Sequence, residues 1–152
     1  MKKLLATLTA LFLCLPVLAD DHGKLKAEVM AAAEAFNESY ATNDVETYFG
    51  FYAEDAQAWW YGERVDMDAY YDEWTAMIDA GGGVETNTMS DIKIQILPSK
   101  DVAIVSAFID NTTRTPDGAV EAAKAFETDV WRNIDGEWKI VHLHFTVIAP
   151  EE

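Results

Sequence analysis

Cysteine is almost absent from this 152-residue sequence, which contains only Cys14. That residue lies in an N-terminal segment that we expect to be removed, so the mature chain would contain no thiol. A disulfide framework, a cysteine nucleophile and a thiolate metal site are therefore excluded for the mature protein. We expect its stability to depend on an apolar core.

Basic residues are scarce as well, because 11 lysines and arginines oppose 27 aspartates and glutamates, giving a formal net charge of −16. Removal of Lys2 and Lys3 with the N-terminal segment would bring the charge to −18. An acidic surface of this kind repels nucleic-acid phosphates and anionic lipid head groups. We therefore predict no nucleic-acid partner, and we interpret the acidity as a feature that keeps the protein soluble.

Only one long, mostly apolar run occurs, over residues 4–18, directly after a basic start. A transmembrane helix needs about 20 apolar residues, and Pro16 interrupts this shorter run. Lipoprotein processing at Cys14 is a second alternative, but the small residues that it needs before the cysteine are missing. The run ends in small or aliphatic residues at Ala19, which is typical of a secretory signal peptide. We predict a signal peptide over residues 1–19 and an exported protein, periplasmic or secreted, with no stable membrane anchor after processing.

The remaining residues 20–152 are predicted to form a single domain, because no repeat and no low-complexity tract divides them. The sequence lacks a phosphate loop, a dinucleotide fingerprint, a Ser-His-Asp signature, a His-Glu-x-x-His motif and a calcium loop. We therefore predict no cofactor. The candidate residues must instead be found from the way strands and helices bring side chains together.

Helical patterns come first in this domain and strand patterns follow, which predicts an α+β fold. Potential helix N-caps occur at Asn43-Asp44 and at Asp66 or Asp68. The predicted helices are Leu25–Tyr40, Val45–Tyr52 and a third that ends at Ile78. The predicted strands are Ala56–Tyr61, Asn87–Leu97, Val102–Thr113 and Ala122–Asn133, followed by the second strand of a final hairpin.

That final hairpin spans residues 126–146, where Asp135-Gly136 between alternating apolar runs is a strong turn signal. If the two-residue turn sets the register, two acids of the first strand face two histidines of the second. Because strand side chains alternate in direction, these pairs would share one face with two tryptophans. The predicted partners are Asn133 with Trp138, Trp131 with Ile140, Asp129 with His142, and Glu127 with His144.

The acid–imidazole pairs provide the candidate catalytic residues His144, Asp129, His142 and Glu127, to which Tyr40 is added as a hydroxyl donor. A carboxylate beside an imidazole fixes its tautomer and suits a general acid or base near neutral pH. In the alternative interpretation, the imidazoles are hydrogen-bonded to acids or backbone and only hold the sheet together. Two histidines and two carboxylates also match zinc by type. Facing pairs on a flat hairpin satisfy each other, however, so we predict no metal site.

The aromatic residues exceed what the core of a domain this size needs, and such residues line apolar ligand pockets. Trp59 and Trp74 are the better candidates for a pocket wall. Trp131 is expected mainly in the core and is kept as a candidate ligand-binding residue. Tyr40, at the end of the first helix, could offer its hydroxyl to a bound polar group.

The hairpin face opposite the acid–imidazole pairs is apolar, so we expect neither face of the sheet to be fully exposed to solvent. We predict a curved sheet whose inner side encloses a pocket and whose outer side is covered by a second copy of the chain, because burying each such side chain contributes about 1.5–3 kcal/mol. The alternative, that this face packs under the helices while the acid–histidine face meets water, remains open. The apolar residues are Phe126, Val130, Val141, Leu143 and Phe145.

Two segments carry a family resemblance. Residues 48–56, Tyr-Phe-Gly-Phe-Tyr-Ala-Glu-Asp-Ala, and residues 131–146, from Trp131 to Thr146, resemble the nuclear transport factor 2-like (SnoaL-like) superfamily. The C-terminal segment is most similar to the branch that contains the calmodulin-kinase association domain. The resemblance implies a cone-shaped α+β barrel, in which a strongly bent, mainly antiparallel sheet wraps around N-terminal helices, with a deep pocket and frequent dimerisation.

The function that we predict is binding of a small apolar or amphipathic molecule by an exported, homodimeric domain. One alternative is a cofactor-independent acid–base enzyme, an isomerase, dehydratase or hydrolase, with His144 or Asp129 as base and Tyr40 or His142 as donor. A second alternative is a structural association module. The resemblance implies all three, since its members include enzymes, binding proteins and assembly modules.

Overall fold

The computed structural model describes residues 21–148, so the predicted signal peptide over residues 1–19 lies outside it. The first helix, α1 (Asp21–Ala41), begins before the predicted Leu25. It buries Val29, Ala33 and Phe36, whose spacing of four and three residues places them on one helical stripe. This stripe packs the helix against the sheet.

Two shorter helices follow, α2 (Val45–Gly50) and α3 (Met67–Asp79). The Asp44 carboxylate accepts a hydrogen bond from the Thr47 amide at 3.2 Å and caps α2. The Asp66 carboxylate caps α3 by accepting hydrogen bonds from the first-turn amides of Asp68 and Ala69, each at 3.1 Å. Asp44 and Asp66 are thereby confirmed as N-caps. Helix α2 ends earlier than predicted, because Tyr52 already belongs to the first strand.

Six strands form one mixed sheet in the order β2-β1-β6-β5-β4-β3. All neighbouring strands are antiparallel except β1 and β6, which run parallel. The predicted α+β class and the mainly antiparallel sheet are confirmed. Because β2 and β3 form two separate edges, the sheet is open and does not close into a complete barrel. The strands are β1 (Tyr52–Trp60), β2 (Glu63–Arg64), β3 (Gly83–Ile96), β4 (Val102–Arg114), β5 (Val120–Ile134) and β6 (Glu137–Val147).

The helices cover one side of the sheet, which we call the inner face, and the opposite side is the outer face. The inner face carries four of the five largest fully buried side chains of the described residues, Trp131, Ile140, Leu143 and Val105. Phe36 of α1 meets Trp131 edge-on, with 6.0 Å between ring centroids. The core therefore lies between the helices and the inner face.

The β5–β6 turn is the predicted one, because Ile134 faces Glu137 across Asp135-Gly136. Both turn residues have positive φ, 53° and 95°, as a type I′ turn requires. The Asn133 side-chain oxygen accepts a hydrogen bond from the Gly136 amide at 3.0 Å. The hairpin itself is confirmed.

A side-chain clamp fixes the α1–α2 corner to the start of β3. The Asn43 Nδ2 donates to the Val84 carbonyl at 2.9 Å, and Asn43 Oδ1 accepts from the Val84 amide at 2.7 Å. Gly83 makes this approach possible, since a Cβ there would lie 2.7 Å from Asn43 Oδ1. The clamp anchors the helices over the cavity described next.

Candidate functional site

A β-bulge at Val141 determines which hairpin side chains share a face. The predicted pairing is confirmed as far as Trp131 and Ile140, but Val141 has no partner of its own on β5. One extra residue displaces the register and reverses the face on which later side chains lie. The predicted acid–histidine pairs are therefore wrong. The observed pairs are Val130 with His142, Asp129 with Leu143, Thr128 with His144, and Glu127 with Phe145.

Both histidines lie on the outer face of the sheet. His142 is partly buried beside Gln57 of β1, whereas His144 is exposed beside Trp59. The His144 Nε2 lies 3.3 Å from the Thr146 hydroxyl oxygen. The sheet thus separates His142 and His144 from the acids with which they were predicted to act.

A cavity of about 460 Å³ opens between the inner face and the three helices. This volume lies in the range of small-molecule sites. All three helices and five of the strands contribute to its wall, and Tyr61, in the turn after β1, stands at its edge and is 75% exposed. Six further aromatic side chains form most of the apolar wall: Phe36, Tyr40, Tyr48, Trp60, Tyr70 and Phe145.

Three tyrosines, of which Tyr48 is buried and Tyr52 and Tyr70 are partly buried, give this region a set of protonated hydroxyls. The hydroxyl oxygens of Tyr48 and Tyr52 lie 2.9 Å apart and share a hydrogen bond. Burial is the main reason that the pKa values of Tyr48, Tyr52 and Tyr70 lie well above their ordinary value. These hydroxyls therefore remain protonated at neutral pH and are able to donate hydrogen bonds.

Tyr40, a predicted site residue, lines the cavity. Burial, reinforced by the nearby charge of Glu127, raises the pKa of Tyr40 to about 12. The Asn111 Nδ2 donates a hydrogen bond to the Tyr40 hydroxyl oxygen at 3.4 Å, and this bond lowers the pKa of Tyr40, partly offsetting the rise. Tyr40 is thus a neutral donor over the physiological pH range.

Glu127 is one of two acids that line the cavity, the other being the exposed Glu121, and it projects from the middle of β5. Its side chain is only partly shielded from solvent, but its carboxyl lies among aromatic rings and buried tyrosines. Burial raises the pKa of Glu127 to about 7. This carboxyl can therefore gain or lose a proton near neutral pH, a property that a solvated glutamate lacks.

Asp129 lies two residues further along the same face and is only 5% exposed. Burial, followed by the charge of Glu127, raises the pKa of Asp129 well above its usual range. Its Oδ1 atom has no hydrogen-bond partner among the described residues. The structure thus brings Glu127, Asp129 and Tyr40 together on the inner side, which leaves only the two histidines of the predicted catalytic set elsewhere.

Of the predicted ligand-binding residues, only Tyr40 contributes to the cavity wall. Trp59 is 37% exposed on the outer face, because β1 alternates and its neighbour Trp60 takes the inward position. Trp74 and Trp131 are 3% and 0% exposed and are part of the core. Placing Trp59 and Trp74 in the wall was therefore wrong, while the expectation that Trp131 is mainly core is confirmed.

The polar side of the cavity was missed in the sequence. Asn87 Nδ2 donates to Asn37 Oδ1 at 2.6 Å, joining β3 to α1 across the cavity wall. Asn111 of β4 is 8% exposed and faces the same space. A usable signal was present for Asn111 alone, because it follows Ala103, Val105, Ala107 and Ile109 at the alternate positions of β4 that face the core.

Two further findings concern metal and membrane. Within residues 21–148, no group of three or more histidine, cysteine, aspartate or glutamate side chains is placed to hold a metal ion. No helix of this part of the chain is long and apolar enough to cross a membrane.

Helices followed by a six-stranded mixed sheet around an inner cavity define an α+β domain of the NTF2-like type. The family model for the SnoaL-like domain matches residues 29–150. The chain therefore belongs to the SnoaL-like domain family, as its resemblance implied. A comparison with curated protein sequences finds no match.

Solved structures with low sequence identity share the fold. An NTF2-like protein from Cytophaga hutchinsonii is 19% identical, with a TM-score of 0.70 over 81% of this chain and 98% of that protein. A ketosteroid isomerase-like protein from Erwinia carotovora atroseptica is 20% identical, with a TM-score of 0.65 over 82% and 96%. The association domain of C. elegans CaMKII is 18% identical, with a TM-score of 0.65 over 83% and 98%. At these identities the similarity establishes the fold alone.

Proposed function

We propose that this protein is an exported domain that binds a small, largely apolar molecule in its inner cavity. The observation that carries the proposal is the cavity of about 460 Å³, which has an aromatic wall and the partly buried carboxyl of Glu127 among its lining groups. Apolar walls with a few convergent polar groups are typical of small-molecule sites. Tyr40 and the Asn37–Asn87 pair supply the polar groups that would orient a ligand.

Native mass spectrometry of the protein purified from its own cells tests this binding function. We expect a small molecule to remain bound, and we expect Ala123→Trp, which fills the cavity from β5, to abolish its retention. Ala35→Trp, on the exposed surface of α1, is the matched control and should retain the molecule. An empty cavity in the unaltered protein, purified without unfolding, would instead favour the structural association module.

We also propose a homodimer through the outer face of the sheet. Phe108 and Phe126 are 43% and 41% exposed there, in edge-to-face contact with 5.5 Å between ring centroids. Leu143 and Phe145 were expected on this face, but the bulge turns them inward. Phe108 and Trp59 take their place, so an exposed aromatic surface remains for a second copy to cover.

Light scattering with an outer-face variant tests the dimer. Phe126→Glu should yield monomers, because a carboxylate would have to be buried in the dimer without a partner. Ala35→Glu on α1 adds the same charge away from the outer face and should leave the dimer intact. A wild-type protein that is monomeric at high concentration would end the proposal.

Export is proposed from the pattern of residues 1–19. The expected product has Asp20 as its first residue and is recovered from the periplasm or the medium. N-terminal sequencing of the fractionated protein measures this directly. Recovery of the uncleaved chain from the cytoplasm would contradict it.

A second candidate function is cofactor-independent acid–base catalysis in the same cavity, supported by the pKa of Glu127 at about 7. A general base or acid works best when its pKa lies near the working pH. With both histidines on the outer face, Glu127 becomes the candidate base and Tyr40 the candidate donor. A rate that rises near pH ~7 and is lost in Glu127→Gln but kept in His144→Ala would favour the enzyme.

A further inference from the structure

The inner cavity contains acidic groups without a balancing base. Glu121 and Glu127 line it, and no lysine, arginine or histidine among residues 21–148 does so. Asp129, on the same strand, adds a buried carboxyl oxygen without a hydrogen-bond partner. The formal charge of −16 on the whole chain increases the negative potential. An anionic ligand would therefore be repelled from this site.

The ring faces of the wall add to the same potential. Aromatic faces carry the negative side of the ring quadrupole and attract cations that lie within about 6 Å of the ring centroid. Trp60 of β1 and Tyr70 of α3 meet with 4.8 Å between centroids, and Tyr40 of α1 and Tyr48 of α2 with 5.4 Å. Rings from four elements thus surround one space, so one ligand would contact several of them.

We propose that the cavity binds an organic cation, an ammonium group carried on an apolar body, with Glu127 as its counter-charge. This inference rests on the proposed binding function and specifies its ligand class. The apolar body would pack against the aromatic wall, Ile109 and Leu143, while the ammonium group approaches Glu127. A neutral molecule of the same shape would fill the space but would leave the carboxylate unpaired.

Protonation of Glu127 should then be linked to binding. The titratable groups that face it are Tyr40 of α1, Tyr48 of α2, Tyr52 of β1, Tyr70 of α3 and Asp129 of its own strand. Its cross-strand neighbours, Ala107 of β4 and Phe145 of β6, do not titrate. Because none of these groups is positive, a bound cation would be the first favourable charge that the carboxylate meets. Cation binding should therefore release a proton near neutral pH, and affinity should rise with pH.

Isothermal titration calorimetry with three probes of similar shape tests the ligand class. The probes are phenyltrimethylammonium, its neutral isostere tert-butylbenzene, and benzenesulfonate. We expect the cation to bind at least about tenfold more tightly than the isostere and benzenesulfonate not to bind. Repeating the cation titration in buffers of different ionisation enthalpy should reveal proton release near pH ~7.

A charge-neutralising variant locates the effect. Glu127→Gln should remove the preference for the cation and the proton release, while binding of the neutral isostere persists. Glu34→Gln removes the same charge from the exposed surface of α1 and is the matched control. It should retain both the preference and the proton release.

Each result separates this inference from the function on which it rests. Equal affinity for cation and isostere in the wild-type protein, or a preference for benzenesulfonate, would overturn the organic-cation ligand while leaving a binding cavity. Failure of all three probes to bind the folded protein would overturn the organic-cation ligand, and the binding function would then depend on the native mass spectrometry described above. The wild-type titrations alone decide these cases, so the test does not depend on the folding of Glu127→Gln.

Discussion

The two faces of the β5–β6 hairpin, although built from the same two strands, differ in chemistry. The inner face has Glu127 and Asp129 near buried tyrosine hydroxyls and an aromatic cavity, and the outer face has His142 and His144 beside partly exposed apolar groups. Burial raises the pKa of both inner acids. The inner face is therefore the place where a proton or a charged ligand would be held, whereas the outer face is suited to contact with another surface.

The largest expected difference between the faces follows from adding a charge to each. Leu143 is 2% exposed on the inner face, whereas its neighbour His144 is exposed on the outer face. Leu143→Glu should lower the free energy of unfolding by about 4 kcal/mol or more, because it buries an unpaired carboxylate in the core. His144→Glu should change it by less than about 0.5 kcal/mol. Urea unfolding measures both, and equal losses would contradict the assignment of faces.

The bulge that separates the faces can be removed. Deletion of Val141 would leave Ile140 and Leu143 facing inward on a regular strand, so we expect a cooperative fold at a cost of about 1–2 kcal/mol. Deletion of Lys139, which lies before the bulge, forces buried Trp138 to the wrong face and should cost about 3 kcal/mol or more. Thermal unfolding of the two deletion variants distinguishes these outcomes. If the Val141 deletion is the more damaging one, the bulge itself is required.

A pH-dependent prediction sharpens the description of the inner face. Because the pKa of Glu127 is raised from 4.5 to about 7 in the folded protein, the folded state binds more protons than the unfolded state between these two pH values. This residue therefore costs stability as pH rises through about 7. Glu127→Gln should raise the free energy of unfolding by about 1–3 kcal/mol at pH ~8.5 and change it little at pH ~4.

Urea unfolding of Glu127→Gln at the two pH values provides this measurement. Glu34→Gln, on the exposed surface of α1, removes the same charge and should have a small effect at both. A gain for Glu127→Gln that is the same at the two pH values would show that the carboxyl is not protonated in the folded state near neutrality.

The smallest expected difference concerns a single hydrogen bond. Tyr52→Phe removes the partner of the buried Tyr48 hydroxyl at 2.9 Å and should cost about 1 kcal/mol. His144→Ala removes an outer-face contact to an exposed threonine and should cost less than about 0.5 kcal/mol. Chemical denaturation of the two variants side by side provides the measurement. A greater loss for His144→Ala would indicate that the outer imidazole has a structural role.

Much of the fold could be predicted from the sequence, because its signals are local. The caps Asp44 and Asp66 act within one helical turn, and Asp135-Gly136 is a residue pair that strongly favours the type I′ turn of a two-residue hairpin. The register beside that turn follows directly from it. The candidate site could be predicted only in part, because Glu127, Asp129 and Tyr40 were named while their neighbours were not.

The errors in the predicted site, two histidines on the wrong face and unnamed tyrosines, have specific physical causes. Val141 is a β-branched residue in an apolar run, and nothing in its identity marks a bulge, yet it reverses the facing of His142 and His144. The tyrosines that surround Glu127 come from α2, α3 and β1, and local patterning does not specify how these elements approach β5. A site assembled from distant segments depends on tertiary packing, which the alternation of side chains along one strand does not predict.

The Asn43 clamp makes the backbone amide of Val84 a probe of the contact between the α1–α2 corner and β3. The Val84 N–H is bonded to a side chain of the α1–α2 corner, so its hydrogen can exchange with deuterium only after that corner has separated from β3. Its exchange rate is therefore expected to report how often the α1–α2 corner separates from β3. A molecule held inside should slow this one amide, which would let occupancy be followed without any label on the ligand.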